Sequence, residues 1–343
     1  MMKLFRSKLL RVILLLILLV GGTAAGYFWR WLNLPLQMTA AAPSSIELSS
    51  GDSLHRIGRR YKESLGLTYL KVWVGYARLV GLTQIKRGEF LLDSSLTPIS
   101  LLQLLNSDDV IQSELTWVEG ITVKDALSSL NALPSQTGLP PITVDDVRGL
   151  LNIAQDNPEG WLFPDTYRHT KSTSAQELLL QSHHKMKTVL AQEWKNRADG
   201  LPYETAYEAL IMASIVEKET GVPHERAAIA GVFVRRLEKG MRLQTDPTVI
   251  YGLGDDYKGD IKRKHLRQKT PYNTYTIHGL PPTPIALPGF DAIHAALHPA
   301  AGDSLYFVAK GDGSHQFSAT LAEHVSAVKR FQLNRRENYR SSQ

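Results

Sequence analysis

Between Val12 and Trp29 the chain carries no charged residue, and that stretch constrains everything after it. At ~1.5 Å per residue a helix over these positions is about 27 Å long, enough to cross the hydrocarbon core of a bilayer. Lys3, Arg6, Lys8 and Arg11 lie before it and no acid does, so the positive-inside rule keeps residues 1–11 cytoplasmic and sends the remainder outward. A membrane helix over 12–32 is therefore expected, with Trp29 and Trp31 at the far interface. A cleaved signal peptide is the competing reading, because Leu9 to Val20 makes an adequate apolar core and Thr23-Ala24-Ala25 a small-residue cleavage pattern. Apolar character resumes at Tyr27-Phe28-Trp29, which favours the anchor. Both readings export the globular part.

The first 30 residues also explain the basic charge. They hold five of the 39 basic residues, so those that remain nearly balance the 33 acidic ones. A nucleic-acid-binding surface needs a concentrated basic face. Only the run Lys262-Arg263-Lys264 and the pair Arg335-Arg336 are concentrated, so nucleic acid is not an expected partner. Without cysteine, disulfides, thiol nucleophiles and cysteine metal sites are excluded.

The exported part reads as α+β. Residues 33–45, rich in Pro, Ala and Ser, read as a tether. Ile46 to Leu48 offers a strand, Asp52-Ser53 a helix start, and Leu54, Ile57 and Tyr61 recur at helical spacing. Residues 88–92 and 114–118 alternate as strands. TPISLLQLL (97–105), GITVKDALSSL (120–130) and PITVDDVRGLL (141–151) each place a Thr before an apolar helical stripe. That pattern is helix capping or internal repetition. The composition changes near Asp156-Asn157-Pro158, after which long helices are expected over 174–194 and 204–220.

The second of these helices ends in Glu217-Lys218-Glu219-Thr220. At 100° per residue the two glutamates point about 200° apart, so one groove can hardly use both. Glu219 shares a strip with Ile215 and Met212. As the last acid before the helix C-terminus, it meets a partial negative charge that disfavours ionisation, as partial burial also would. Both suit a general acid near neutral pH. Asp246, in Gln244-Thr245-Asp246-Pro247-Thr248, is a second carboxylate or else a helix N-cap. Gln244, Thr248, Tyr272, Asn273, Thr274 and Tyr275 carry groups that hold acetamido sugars, although each serves equally as a satisfied loop or core residue. His294 and His298 have the i, i+4 spacing of a metal pair, but no acid follows as in H-E-x-x-H and Pro299 ends the helix, so no metal or cofactor is expected. Ser214 lacks the strand-to-helix elbow of a serine hydrolase.

Two resemblances add to this. IELSSGDSLHRIGRRY is similar to the opening of a LysM module, a small glycan-binding fold. ASIVEKET, RLQTDPTVIYGLG, TPYNTYTIHGLPPTPI and LHPA, with EGWLFPDTY and RADGLPY, closely resemble the MltG (YceG-like) family of endolytic murein transglycosylases. The resemblance implies a LysM-like region over 46–155 and a catalytic domain over 156–343. It implies Glu219 as the catalytic acid, and a glycan groove lined by Gln244, Asp246, Thr248 and Tyr272 to Tyr275. It further implies a lyase of the bacterial inner membrane with its catalytic part in the periplasm. Such an enzyme acts on nascent peptidoglycan strands, and peptidoglycan synthases are the partners it would call for. A glycan-binding scaffold and a two-carboxylate glycosidase using Glu219 and Asp246 are the alternatives.

Overall fold

A computed structural model describes residues 2–49 and 51–333; Arg335 and Arg336 lie outside them. The elements run α1 (Met2–Asn33), β1 (Ser45–Leu48), α2 (Leu54–Arg60), α3 (Lys62–Leu65), α4 (Leu70–Leu79), β2 (Gly88–Leu91), α5 (Pro98–Asn106), β3 (Ser113–Thr116), α6 (Val123–Asn131) and α7 (Val144–Leu151). There follow β4 (Thr166–His169), α8 (Ala175–Lys195), α9 (Ala206–Glu219), α10 (Arg226–Glu238), α11 (Asp246–Leu253), α12 (Arg263–Arg267), α13 (Phe290–Leu297), β5 (Tyr306–Ala309), β6 (His315–Ser318) and α14 (Leu321–Val328). The chain is a mixed α+β protein. It divides into two compact units, residues 1–113 with 168–172, and residues 114–167 with 173–343. The compositional change near residue 156 falls inside the second unit.

In the first unit, Leu10–Asn33 of α1 is long and apolar enough to cross a membrane, with mean hydropathy 2.2. Its large apolar side chains from Leu10 to Val20 are exposed, as an anchor requires. The end of the same helix is partly covered, although Tyr27 and Trp29 stay exposed. Leu32 is fully buried in the core with Leu36, Ile46, Trp73 and Phe90. Trp31, half-buried, stacks on Phe28 and meets the edge of Tyr69. Part of 33–45 also packs on this unit. Leu36 is buried, its N–H donates to the Leu96 carbonyl at 2.7 Å, and the Thr39 N–H donates to that of Ser64 at 2.9 Å. Pro, Ala and Ser suggested a free linker because composition does not reveal that Leu36 and Met38 find an apolar surface to cover.

β1 and β2 pair antiparallel, placing Ile46 opposite Phe90 and Glu47 opposite Glu89. Like charges across a ladder are unfavourable. Glu89 is compensated by Lys171, whose Nζ stands 2.8 Å away, and by the Ser45 hydroxyl; together they hold its carboxyl below the usual range. The three Thr-led segments are capping boxes: Thr97, Thr122 and Thr143 each accept a hydrogen bond from the amide three residues on.

The second unit is built around α9. Every residue from Ala209 to Val216 is buried, the mark of a helix enclosed on all sides, here by α8, α10, α11 and α13. Ser214 lies inside this core, donating to the Ile211 carbonyl and accepting from the Ile285 amide. β5 and β6 form an antiparallel hairpin, with Phe307 opposite Phe317. The loop before β4 crosses α9 at Gly160, where φ is +82° and an added Cβ would stand 2.5 Å from Pro284 Cγ. Only glycine combines that backbone with so close an approach, and it sets the position of Glu159.

Candidate active site

Because α9 stops at Glu219, its last two acids face different neighbours. Glu217 is deeply buried, its side chain 5% exposed, and both oxygens are engaged. It accepts from the Gly289 amide at 3.0 Å and from Arg226 at 3.4 Å. Arg226 also reaches Asp291 at 3.1 Å and Glu119 at 3.5 Å. Burial pushes the Glu217 carboxyl up, while the amide and the guanidinium act against it. Glu217 is thus a member of an ion cluster that joins the end of α9 to the starts of α10 and α13.

Glu219 has no such cation in contact among the described residues. Its Oε1 accepts from the Thr245 hydroxyl. Burial, the largest influence, pushes its carboxyl up to about 7; the charge of Asp246 acts in the same direction, and Thr245 and Arg236 oppose. The residue as a whole keeps some accessible surface. A carboxyl so enclosed can hold a proton at neutral pH, as a general acid must. Arg236 is buried and committed to the carbonyls of Leu305 and Leu243, so it acts on Glu219 only at a distance.

The residues named from sequence separate into two groups. Thr248, Asn273 and Thr274 are buried and bonded within the protein. Thr248 donates to the Thr245 carbonyl and lies 2.8 Å from the Thr274 hydroxyl, which accepts from the Thr245 amide. Asn273 donates to the carbonyls of His265 and Gln268 and accepts from the Tyr275 amide. Their polar groups clamp the start of α11 to the 270–276 loop. Gln244 and Asp246 are exposed, and Tyr275 is half-buried, donating to Asp246 Oδ1 at 2.7 Å. Asp246 therefore serves Tyr275, and Thr245 is the residue before the helix. Gln244 holds a left-handed φ of 53°, which turns Thr245 inward toward Glu219.

A cavity of about 1230 Å³ lies on the Glu217 side, lined among others by Thr220, Pro247, Tyr251, Tyr257, Tyr272 and Glu159. Of the sequence candidates Tyr272 is on its wall, tilted against Tyr251 with ring centroids 5.0 Å apart. Glu219 is not on the wall; its chain neighbour Thr220 is. Sequence reading missed Glu159. Its Oε1 accepts from the Val123 amide at 2.9 Å and its Oε2 from the Tyr251 hydroxyl at 3.2 Å, yet burial still pushes it up to about 7. The available signal was an acid set just before the aromatic stretch Trp161-Leu162-Phe163.

The chain was compared with known proteins. A relative from Bacillus subtilis (strain 168), named endolytic murein transglycosylase, is 28% identical over 93% of this chain and 93% of its own. A protein of the same name from Streptococcus pneumoniae (strain D39) is 25% identical over 92% of this chain and 65% of its own longer one. The crystal structure of a yceG-like protein from Listeria monocytogenes superposes with a TM-score of 0.52 at 29% identity, covering 82% of this chain and 98% of that one. Residues 46–330, which contain α9 and both glutamates at its end, match the sequence profile of the YceG-like family, and the chain belongs to that family.

Proposed function

We propose that this chain is an endolytic peptidoglycan lytic transglycosylase in which Glu219 alone performs both proton transfers. The observation that carries the reading is the Glu219 carboxyl, pushed up to about 7 by burial at the end of a rigid helix. Lytic cleavage between N-acetylmuramic acid and N-acetylglucosamine lets the muramyl C6 hydroxyl attack its own anomeric carbon, leaving a 1,6-anhydro end and consuming no water. Protonated Glu219 donates to the departing glycosidic oxygen. The carboxylate so formed then takes the C6 proton. Hydrolases need a second carboxyl to activate water or form a covalent intermediate. Asp246, the second acid in that neighbourhood, is exposed and bonded to Tyr275.

The N-terminal apolar helix supports placement as a single-pass protein of the inner membrane with its enzyme part in the periplasm. Residues 46–155 are read as the LysM-like region and 156–343 as the catalytic domain. The antiparallel pairing of β1 with β2 around α2 and α4 is in keeping with a glycan-binding module. Nascent glycan strands are the substrate, and peptidoglycan synthases are the partners such an activity would serve.

A second reading has one observation in its favour. Glu159 is also pushed up to about 7 and shares the wall of the large cavity with Glu217, as an acid and carboxylate of a glycosidase would. Mass spectrometry of products from purified strands decides between the two: anhydro ends support lytic cleavage, reducing ends the hydrolase, and intact strands a binding scaffold.

The pH profile gives an independent check. A raised carboxyl pKa means that the proton is kept below about 7 and lost above it, so turnover should be flat on the acid side and fall as pH rises through 7. Thr245→Val removes a donor that favours the carboxylate and should move this alkaline limb to higher pH. Glu159→Gln should leave it in place. If the limb vanishes with Glu159→Gln and ignores Thr245→Val, the titrating acid is Glu159.

A further inference from the structure

The spacing of His294, in α13, and His298, the residue that ends it, provides two adjacent imidazoles, and folding brings the third group that the local sequence lacks. Glu193, in the last turn of α8, is buried, with its side chain 9% exposed. Its Oε2 lies 2.7 Å from His294 Nδ1 and 3.9 Å from His298 Nδ1. The ligand atoms of the three residues all fall within 4.8 Å of one another.

The surrounding contacts orient the rings. His298 Nε2 stands 2.9 Å from the Asn196 carbonyl oxygen and donates to it. In the neutral ring this fixes the proton on Nε2 and leaves the lone pair of Nδ1 on the side of Glu193, the arrangement by which backbone carbonyls orient metal-binding histidines. The 3.2 Å approach of the same Nδ1 to the His294 carbonyl then carries no proton. The two imidazoles stack with centroids 4.2 Å apart and planes 20° from parallel, continuing from Phe290. A shared divalent ion satisfies one buried carboxylate and two neutral nitrogens at once.

We propose that Glu193, His294 and His298 form a binding site for a zinc-class divalent transition metal, joining α8 to α13. Two imidazole nitrogens and one carboxylate oxygen are a donor set for Zn²⁺ and its neighbours, whereas Mg²⁺ and Ca²⁺ prefer oxygen alone. Water completes the coordination on the exposed side, where the His294 side chain is 51% exposed. Binding through His294 Nδ1 shifts that ring's single proton to Nε2 on the exposed side, so the ring stays neutral and the Glu193 oxygen is freed for the ion. The ion takes no part in glycan chemistry. α13 packs on α9 and α10, so its effect is to stiffen the helical layer that holds Glu219.

The test uses the full chain, purified in detergent without a histidine tag and stripped with chelator, titrated with ZnCl₂ by calorimetry and thermal melting. A single saturable equivalent with a rise in Tm is expected, and MgCl₂ should produce none. His294→Ala should weaken zinc binding at least about tenfold and remove the Tm rise. Its metal-free Tm should fall as well, because the half-exposed ring is the close partner of the buried Glu193 carboxylate, so the readout is the loss of the zinc-dependent rise and not the absolute Tm. Glu193→Gln, which keeps the side-chain shape, should weaken binding likewise. Absence of saturable binding, a Tm that ignores zinc, or zinc affinity unchanged in a His294→Ala/His298→Ala double variant would each overturn the proposal.

Discussion

Glu219→Gln should lower the yield of anhydro ends by at least about 100-fold, the usual cost of losing a general acid and base, while circular dichroism and Tm stay close to the parent. Glutamine keeps the shape and can still accept from Thr245, but it can neither deliver a proton nor take one back. Glu217→Gln should show the opposite division. It leaves the proton transfers intact and removes a charge from the Arg226 cluster, so Tm falls and turnover per folded molecule is largely kept. Turnover retained in Glu219→Gln would end the one-glutamate mechanism. Loss in Glu217→Gln alone would move the chemistry to the opposite face of α9 and into the large cavity.

Arg226→Ala is expected to have the largest effect on stability. The guanidinium is buried and serves Glu217, Glu119 and Asp291 together. Its removal strands the buried Glu217 carboxylate, and breaking a buried pair from one side costs about 3 kcal/mol or more. For a unit of this size that is about 6–12 °C in Tm. Arg226→Ala/Glu217→Gln should recover part of the loss, because the stranded charge is gone; a double variant no better than Arg226→Ala would show that packing of the arginine stem dominated instead. Chemical denaturation of the three variants, read by tryptophan fluorescence, measures both quantities.

The contrast between these two glutamates shows what the sequence could convey. Their opposed directions follow from helical geometry, and the end of α9 at Glu219 followed from Gly221-Val222-Pro223. The caps at Thr97, Thr122 and Thr143 were equally legible, since each is settled by residues three apart. Longer-range contacts were not. Glu159 becomes a proton-holding acid only because folding buries it, against the pull of the Val123 amide and the Tyr251 hydroxyl toward the carboxylate, and Glu193 reaches His294 only across two helices. Thr248, Asn273 and Thr274 show the same limit from the other side. Their hydroxyl and amide groups suit a sugar, but which way they point depends on a loop pairing absent from local pattern. Residues 33–45 looked like a linker for a similar reason: the surface covering Leu36 is made of residues far along the chain.

That packed segment changes the mechanics of attachment. With Leu32 fixed in the core and no slack after it, α1 joins the first unit as a stiff mast and not as a rope. For a chain anchored as proposed above, the height of that unit over the bilayer is set within a helical turn, ~5 Å, by how deeply the apolar stretch sits. Tilt or rotation of the helix, as when membrane thickness changes, would be passed to the unit as a rigid-body movement.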